Sequence, residues 1–146
     1  MKFIKRLDLS YPKEGIAAVA LKAGQVVSHD LDRNNELVPA LANGQLWKIA
    51  GVATHDCNAS GVVTICYEGQ VQYAPGTFEA GFVYVASADV PGELVKHDDM
   101  GSVGYLALVG YAISDSVLEL LNIQRRSPAI RVEKVVVAPT VKNAKG

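Results

Sequence analysis

The chain has 146 residues, 49% of them hydrophobic, which suits a single domain that buries its own core without disulfides or a metal. Its formal net charge of −1 argues against the clustered basic surface that nucleic-acid binding requires, so we expect no nucleic-acid partner. No stretch reaches the roughly 20 consecutive apolar residues of a membrane helix. No apolar signal segment follows Met1 either, so we expect no membrane association and synthesis in the cytoplasm.

The opening segment, MKFIKRLDLSYPKEG, mixes apolar and basic side chains and ends in the strand breakers Pro12 and Gly15. We interpret residues 1–15 as an extended arm that precedes the domain. Such an arm is a frayed terminus, a simple edge strand or a segment that docks on a neighbouring subunit, and its apolar content favours docking slightly. The predicted interface residues combine this arm with an arginine pair near the end of the chain: Lys2, Phe3, Ile4, Lys5, Arg6, Leu7, Leu9, Tyr11, Arg125 and Arg126.

Two short apolar runs follow, at residues 16–21 and 25–28, and both are typical of strands. The next residues, DRNNE, favour a turn. Asp30, Asp32, Asn34 and Glu36 alternate as they would at the start of a calcium-binding loop, but the required Gly at the sixth position and Glu at the twelfth are missing. We therefore predict a hairpin turn and no calcium site.

The clearest pattern in the chain lies at residues 46–73, where two apolar runs, 47–53 and 62–73, flank the turn-rich segment HDCNASG. We predict a β-hairpin whose second strand has one buried face and one polar face. The buried face is predicted to contain Val63, Ile65, Tyr67, Val71 and Tyr73, and the polar face Thr64, Cys66, Glu68, Gln70 and Gln72.

After this hairpin the sequence predicts a loop at residues 74–81, a strand at 82–86, a turn at Pro91 and Gly92, and a short strand at 94–95. Residues 105–113 and 117–123 are apolar runs joined by Ser114, Asp115 and Ser116, which indicates a second hairpin. A last β-rich run, IRVEKVVVA, precedes a polar tail that we expect to be flexible.

Fold class follows from these short strands, from the 13 glycines and from the lack of a long amphipathic helix. We predict an all-β domain at residues 16–138, either a small antiparallel β-barrel or a β-sandwich, with the N-terminal arm before it and a short tail at 139–146 after it. Gly51 and Gly110 occupy equivalent places in IAGVA and LVGYA, and we expect them where two backbones approach closely or a strand bends.

Catalytic and metal-binding motifs are missing from the sequence: there is no GxSxG, HExxH, P-loop or GxGxxG. Cys57 and Cys66 have no CxxC spacing, and the three histidines are scattered, so we predict two reduced thiols and no metal. The run of His97, Asp98 and Asp99 is read as a solvated turn in preference to a cation site or an acid–base pair. We expect no enzymatic activity and no cofactor.

The order of several motifs, GQVV at 24, WKIAGVA at 47, GVVTICYEGQVQ at 61, GFVYVASADVPGELV at 81 and GYLALVGYAISDSVLELL at 104, resembles the small β-rich decoration proteins of tailed-phage heads. The resemblance covers residues 24–123. It implies a structural protein on the exterior of the virion capsid that binds the major capsid protein and stabilises the shell. It also implies self-association as a trimer, although a dimer satisfies the same physics.

Two other functions fit the same residues. A tail-fibre or baseplate module has similar strand and turn patterns. A small-ligand or carbohydrate-binding barrel is the alternative from another class, in which aromatic side chains line a groove; the candidates are Trp47, Tyr67, Tyr73 and Tyr84. Because Tyr67 and Tyr73 fall on the apolar face of their predicted strand, we expect most of these rings in the core.

Overall fold

The computed structural model describes residues 1–7, 13–43, 48–99, 103–121 and 130–133. Two short 3-10 helices, Leu31–Arg33 and His97–Asp99, interrupt a chain of strands. The strands are β1 (Phe3–Arg6), β2 (Lys13–Ile16), β3 (Val26–Asp30), β4 (Glu36–Pro39), β5 (Ile49–Ala53), β6 (Val62–Cys66), β7 (Gly69–Tyr73), β8 (Val83–Ala86), β9 (Leu94–Lys96), β10 (Val103–Leu106), β11 (Leu108–Ala112), β12 (Val117–Leu120) and β13 (Ile130–Glu133).

Two main sheets contain most of these strands, and every pairing of neighbouring strands is antiparallel. The six-stranded sheet has the order β1-β7-β12-β11-β8-β9, and the five-stranded sheet has the order β2-β6-β5-β3-β4. β10 and β13 form a separate pair. The all-β prediction is confirmed. Of its two architectures the sandwich fits, since the sheets do not close into a barrel.

The main core lies between the two sheets. Val71 and Leu118 from the six-stranded sheet meet Val26 and Val52 from the five-stranded sheet, and all four side chains are fully buried. A row of three aromatic rings fills one side of this core: Tyr73 contacts Phe78 edge-on at 5.1 Å between centroids, and Phe78 contacts Tyr84 at 4.9 Å. Edge-to-face contacts of this kind add to the stabilisation from burial alone.

The five-stranded sheet contributes to two clusters, because it curls around a second, smaller one on the side away from the main core. This inner cluster consists of Ala17, Leu21, Val27, Leu37, Ala50, Ala53, Val63 and Ile65. The two edges of the sheet approach each other where Ala17 bridges to Leu37 and the Ala18 N–H donates to the Leu37 carbonyl at 2.8 Å. Gly15 permits this approach, since a Cβ there would lie 2.6 Å from Leu37 Cδ1.

The predicted long strand at 62–73 is two strands in different sheets. β6 belongs to the five-stranded sheet and β7 to the six-stranded sheet, and the chain crosses between them just before Gly69, whose φ is +84°. Val63 and Ile65 therefore enter the inner cluster, whereas Val71 and Tyr73 enter the main core. The assignment of Cys66 to a polar face was wrong: it is 2% exposed, because β6 is covered on both faces.

Other predicted runs are divided or displaced. The run at 16–21 contributes only Ile16 to a strand, and the residues after it make isolated bridges. The run at 105–113 is divided at Ala107, because β10 pairs with β13 whereas β11 pairs with β8 and β12. Trp47, residues 122–129 and residues 134–146 lie outside the described part of the chain.

The predicted hairpins and turns are confirmed in outline. β5 pairs with β6, β11 pairs with β12, and β3 pairs with β4 across a turn in which Asn34 and Asn35 have left-handed backbones. Gly51 and Gly110 mark close backbone approaches as expected: a Cβ would lie 2.5 Å from the Cys66 carbonyl oxygen at the first and 2.7 Å from the Glu119 carbonyl oxygen at the second.

Residues 1–15, predicted as an arm, contribute an edge strand to each main sheet. β1 pairs with β7, and β2 pairs with β6. The Phe3 ring contacts the Tyr73 ring edge-on at 5.4 Å, which attaches β1 to the main core. The domain boundary at residue 15 stays a prediction, but the paired stretches on its N-terminal side are parts of the sheets.

Candidate interaction surfaces

The first surface is the edge formed by residues 1–7, which we name the basic edge. Lys2 and Lys5 are exposed there, and this stretch contains no acidic residue. Ile4 is 47% exposed and Leu7 is 39% exposed. Ile4 is the extra residue of a β-bulge, since the register shifts between Phe3 and Lys5.

The other predicted interface residues divide into two groups. Phe3 and Arg6 are half-buried, and Phe3 packs against the main core. Leu9, Tyr11, Arg125 and Arg126 lie outside the described residues.

Among the described residues, β1 is the last strand of its sheet, and β7 pairs with one side of its backbone. The Ala74 N–H donates to the Lys2 carbonyl, and the Leu7 N–H donates to the Gln70 carbonyl, both at 2.8 Å. Because hydrogen-bonded and non-hydrogen-bonded pairs alternate along an antiparallel ladder, the peptide groups of Phe3 point away from β7. An edge with outward peptide groups can accept another strand.

The second surface is the opposite edge of the same sheet, formed by β9 and the 3-10 helix after it, which we name the acidic edge. The Ser87 N–H donates to the Glu93 carbonyl at 3.0 Å, so the peptide groups of Leu94 and Lys96 point away from β8. Glu93 precedes the strand, and the exposed Asp98 and Asp99 follow it. These aspartates are exposed as expected, but they lie in a 3-10 helix, and their place at a sheet edge was missed.

A cavity of about 590 Å³ lies beside the acidic edge. Its walls come from the loop after β7, from Tyr84, and from all three residues of β9. Lys96 Nζ donates to Glu79 Oε1 at 2.7 Å and lies 4.6 Å from the centre of the Phe82 ring. The hydrogen bond with Glu79 is the main cause that raises the pKa of Lys96.

The remaining polar groups around the cavity fix its shape. The Glu79 N–H donates to Tyr84 Oη at 2.8 Å, and the Gly76 N–H donates to Asp115 Oδ2 at 3.1 Å. Phe78 and Leu94 supply an apolar floor, and Asp99 contributes a carboxylate to the wall. Because Lys96 is paired to Glu79, the lining presents a neutralised ion pair beside the Asp99 carboxylate.

The aromatic residues considered for a ligand platform are mostly internal. Tyr73 is fully buried and Tyr84 is 7% exposed, so neither ring offers a face to a bound sugar. Tyr67 is half-buried, with Lys13 Nζ 5.9 Å from its ring centre. Trp47 is outside the described residues.

Both cysteines are free thiols. Cys57 donates weakly to the Asn58 carbonyl at 3.3 Å, and Cys66 is buried in the main core. Among the described residues, no three His, Cys, Asp or Glu side chains converge as metal ligands. In the same part of the chain, no helix is long and apolar enough to cross a membrane.

No protein-family model matches the chain, and no curated protein is significantly similar to it.

Proposed function

We propose that this chain is a non-enzymatic structural protein of a phage virion, which decorates the outside of the capsid by binding the assembled shell of major capsid protein. The observation that supports this proposal is the basic edge. Exposed Ile4 and Leu7 on an edge strand with outward peptide groups fit addition of a strand from a partner. Lys2 and Lys5 favour an acidic partner and disfavour pairing with another basic edge.

Decoration stabilises a shell because the protein binds assembled subunits and not dissociated ones. Each site occupied at a free concentration of one hundred times Kd lowers the free energy of the assembled state by about 2.7 kcal/mol. Many weak sites on one shell therefore add up to a large stabilisation without any chemical step.

Copy number in purified virions tests the proposal. Quantitative mass spectrometry is expected to give copies by the hundred, located on the head in electron cryomicroscopy. A few copies per particle, located on the tail, would support the tail-fibre or baseplate alternative instead. Absence from the virion would exclude both structural functions.

Binding to heads that lack the protein tests the part played by the basic edge. Ile4→Glu is expected to weaken binding at least tenfold, because it places a charge on the apolar contact. Leu31→Glu is the matched control, since Leu31 is 79% exposed in the turn between β3 and β4, away from either edge of the six-stranded sheet. Equal binding by the two variants would remove the basic edge from the capsid interface.

Small-ligand binding is the second candidate, and the cavity beside β9 is the observation that favours it. Titration with a panel of mono- and oligosaccharides, read out by thermal shift and by NMR of Lys96 and Glu79, tests it. Saturable shifts at these residues would support a ligand site. Their absence throughout the panel would count against a carbohydrate-binding function.

A further inference from the structure

We propose that His55 is a pH-sensitive switch at the open end of the β5–β6 hairpin. The neutral ring closes this end of the hairpin, and the protonated ring releases it. The inference goes beyond the proposed function, because it concerns a loop of the five-stranded sheet and needs no capsid partner. It rests on the hydrogen bonds of the ring, on the strand register beside it and on the contacts that hold the rest of the loop.

The ring of His55 takes the place of a backbone acceptor at the end of the ladder. β5 and β6 pair as far as Ala53 and Ile65. One residue further along, the Thr54 N–H donates to the Thr64 carbonyl at 3.0 Å, which is one half of the reciprocal pair of bonds in an antiparallel ladder. The Thr64 N–H, which would return the second bond, donates to His55 Nε2 at 3.1 Å.

The other ring nitrogen defines the tautomer. His55 Nδ1 lies 2.9 Å from the carbonyl oxygen of Asp56. Because a carbonyl oxygen only accepts hydrogen bonds, Nδ1 carries the ring proton. Nε2 is then the unprotonated nitrogen, as the bond from the Thr64 N–H requires. The two bonds together specify a neutral ring with its proton on Nδ1.

A second proton on the ring would remove the acceptor. Protonated histidine has an N–H group at each nitrogen and accepts no hydrogen bond. The new Nε2–H would face the Thr64 N–H across 3.1 Å, and two donors form no bond. The bond from Nδ1 to the Asp56 carbonyl would remain. The closed arrangement therefore loses population as the pH falls through the range of about 8 to 5 in which histidine changes its charge.

The charged groups on the neighbouring elements have no excess of either sign. Glu14 of β2 lies opposite Thr64 in the register of the sheet, and Lys13 precedes it. Asp56 follows His55, and its Oδ1 accepts from a backbone N–H in the turn before β3 at 2.9 Å. Lys22 is exposed in that same turn. Two carboxylates therefore face two ammonium groups, and the bond to Thr64 is the feature that distinguishes the neutral ring from the charged one.

Release is confined to the end of the hairpin, because bonds that do not involve the ring hold the rest of the loop. Leu21 and Cys57 exchange two backbone bonds, at 2.7 and 2.9 Å. The Thr54 hydroxyl also donates to the Thr64 carbonyl, at 3.1 Å. In acid the chain therefore presents a charged His55 ring and an unpaired Thr64 N–H at its surface, while the loop stays attached to the sheet.

Nitrogen-15 NMR of the ring tests the closed arrangement in the full chain. At pH 7.5 the spectrum is expected to place the proton of His55 on Nδ1, with the Thr64 amide protected from hydrogen exchange. A ring proton on Nε2 would overturn the inference, because the Thr64 N–H could not then donate to that nitrogen.

Hydrogen exchange at two pH values tests the release. After correction for the intrinsic effect of pH on exchange, protection of the Thr64 amide is expected to fall at least tenfold from pH 7.5 to pH 5.0. The Cys57 amide, which donates to the Leu21 carbonyl, is expected to keep its protection. Unchanged protection at Thr64 would overturn the inference. An equal fall at Cys57 would overturn it too, because the whole loop would then respond to acid.

Substitution separates the switch from other effects of acid. His55→Gln keeps an acceptor that does not titrate, so the Thr64 amide is expected to stay protected at both pH values. His55→Ala removes the acceptor and is expected to leave that amide unprotected at both. His29→Gln is the matched control, since the His29 ring bonds to the Asn35 carbonyl at 2.8 Å, and it is expected to keep the pH response of the unmodified chain. A pH response at Thr64 that persists in His55→Gln would overturn the inference.

Discussion

Tyr73 connects the two sheets through its hydroxyl group. The side chain is fully buried in the main core, and its Oη donates to the Gly24 carbonyl at 2.7 Å. Tyr73→Phe is expected to lower the free energy of unfolding by about 1–2 kcal/mol, because it leaves a buried carbonyl without its donor. Urea denaturation measures this, with Tyr111→Phe as a control within about 0.5 kcal/mol, since Tyr111 is 40% exposed. Equal effects of the two changes would mean that the buried bond contributes nothing.

The same hydroxyl makes the free energy of unfolding decrease at alkaline pH. Burial raises the pKa of Tyr73 well above its ordinary value of 10.0, so the folded state keeps the proton that the unfolded state releases. Stability from this group is therefore complete below pH 10 and declines as the pH rises beyond it. Tyr73→Phe is expected to flatten that decline between pH 9 and pH 11. An unchanged slope of unfolding free energy against pH would contradict this.

Ser28 is a buried polar group whose hydroxyl finds no hydrogen-bond partner in the described structure. It is fully buried on β3, opposite Val38 and Ile49. Ser28→Ala removes an unpaired hydroxyl at little change in volume, so it is expected to raise the free energy of unfolding by up to about 1 kcal/mol. Chemical denaturation measures the change. A loss of more than about 1 kcal/mol would mean that the hydroxyl has a partner in solution, such as a buried water.

At the level of strands, Ile65 and Glu68 test the division of β6 from β7. Ile65 is 2% exposed in the inner cluster, whereas Glu68 is half-buried in the crossing between the sheets. Ile65→Ala is expected to cost about 2–5 kcal/mol, and Glu68→Ala is expected to stay within about 0.5 kcal/mol. Reversed magnitudes in urea denaturation would indicate that the register of β6 is shifted by one residue.

Sequence patterns predict the turns and hairpins well because those depend on neighbouring residues. Asn34 and Asn35 adopt the backbone that a tight turn needs, and Gly110 lies where a Cβ would collide with the next strand. The crossing near Glu68 was not predicted, because the alternation of apolar and polar residues in the sequence continues through it with unchanged parity. Cys66 was misplaced for a related reason: alternation assumes one covered face, and β6 has two.

The two candidate surfaces differ in how far the sequence predicts them. The mixture of apolar and basic residues in β1 is visible directly, so an interface segment was predicted there, although as an arm before the domain and not as an edge strand. The acidic edge was not, because its importance depends on β9 lying last in a sheet assembled from residues far apart in the chain. Nothing in the spacing of Glu79 and Lys96 indicates that their side chains meet across a cavity.

For the whole molecule, β1 links the proposed binding function to stability. The arm interpretation predicts that a chain lacking residues 1–11 stays folded and binds particles less tightly. Because Phe3 contacts Tyr73, we also expect deletion of residues 1–7 to lower the free energy of unfolding by about 2–3 kcal/mol, since an aromatic side chain leaves the core. Circular dichroism measures whether the shortened chain is folded, and urea denaturation measures its free energy of unfolding. Lys2→Ala is the control, and a deletion no more costly than this substitution would make β1 a purely external arm.

The placement of β1 and β2 also affects the order in which the chain folds while it is being made. All eight residues of the inner cluster lie between Ala17 and Ile65, so the five-stranded sheet can assemble from the first 66 residues. Phe3, by contrast, can pair only after Tyr73 has been synthesised, about 70 residues later. At about 5–20 residues per second of translation, the first strand stays unpaired for about 4–14 s after it is synthesised. A hairpin closes in microseconds, so the nascent chain has ample time to complete one sheet while its basic N-terminal segment is still accessible to chaperones.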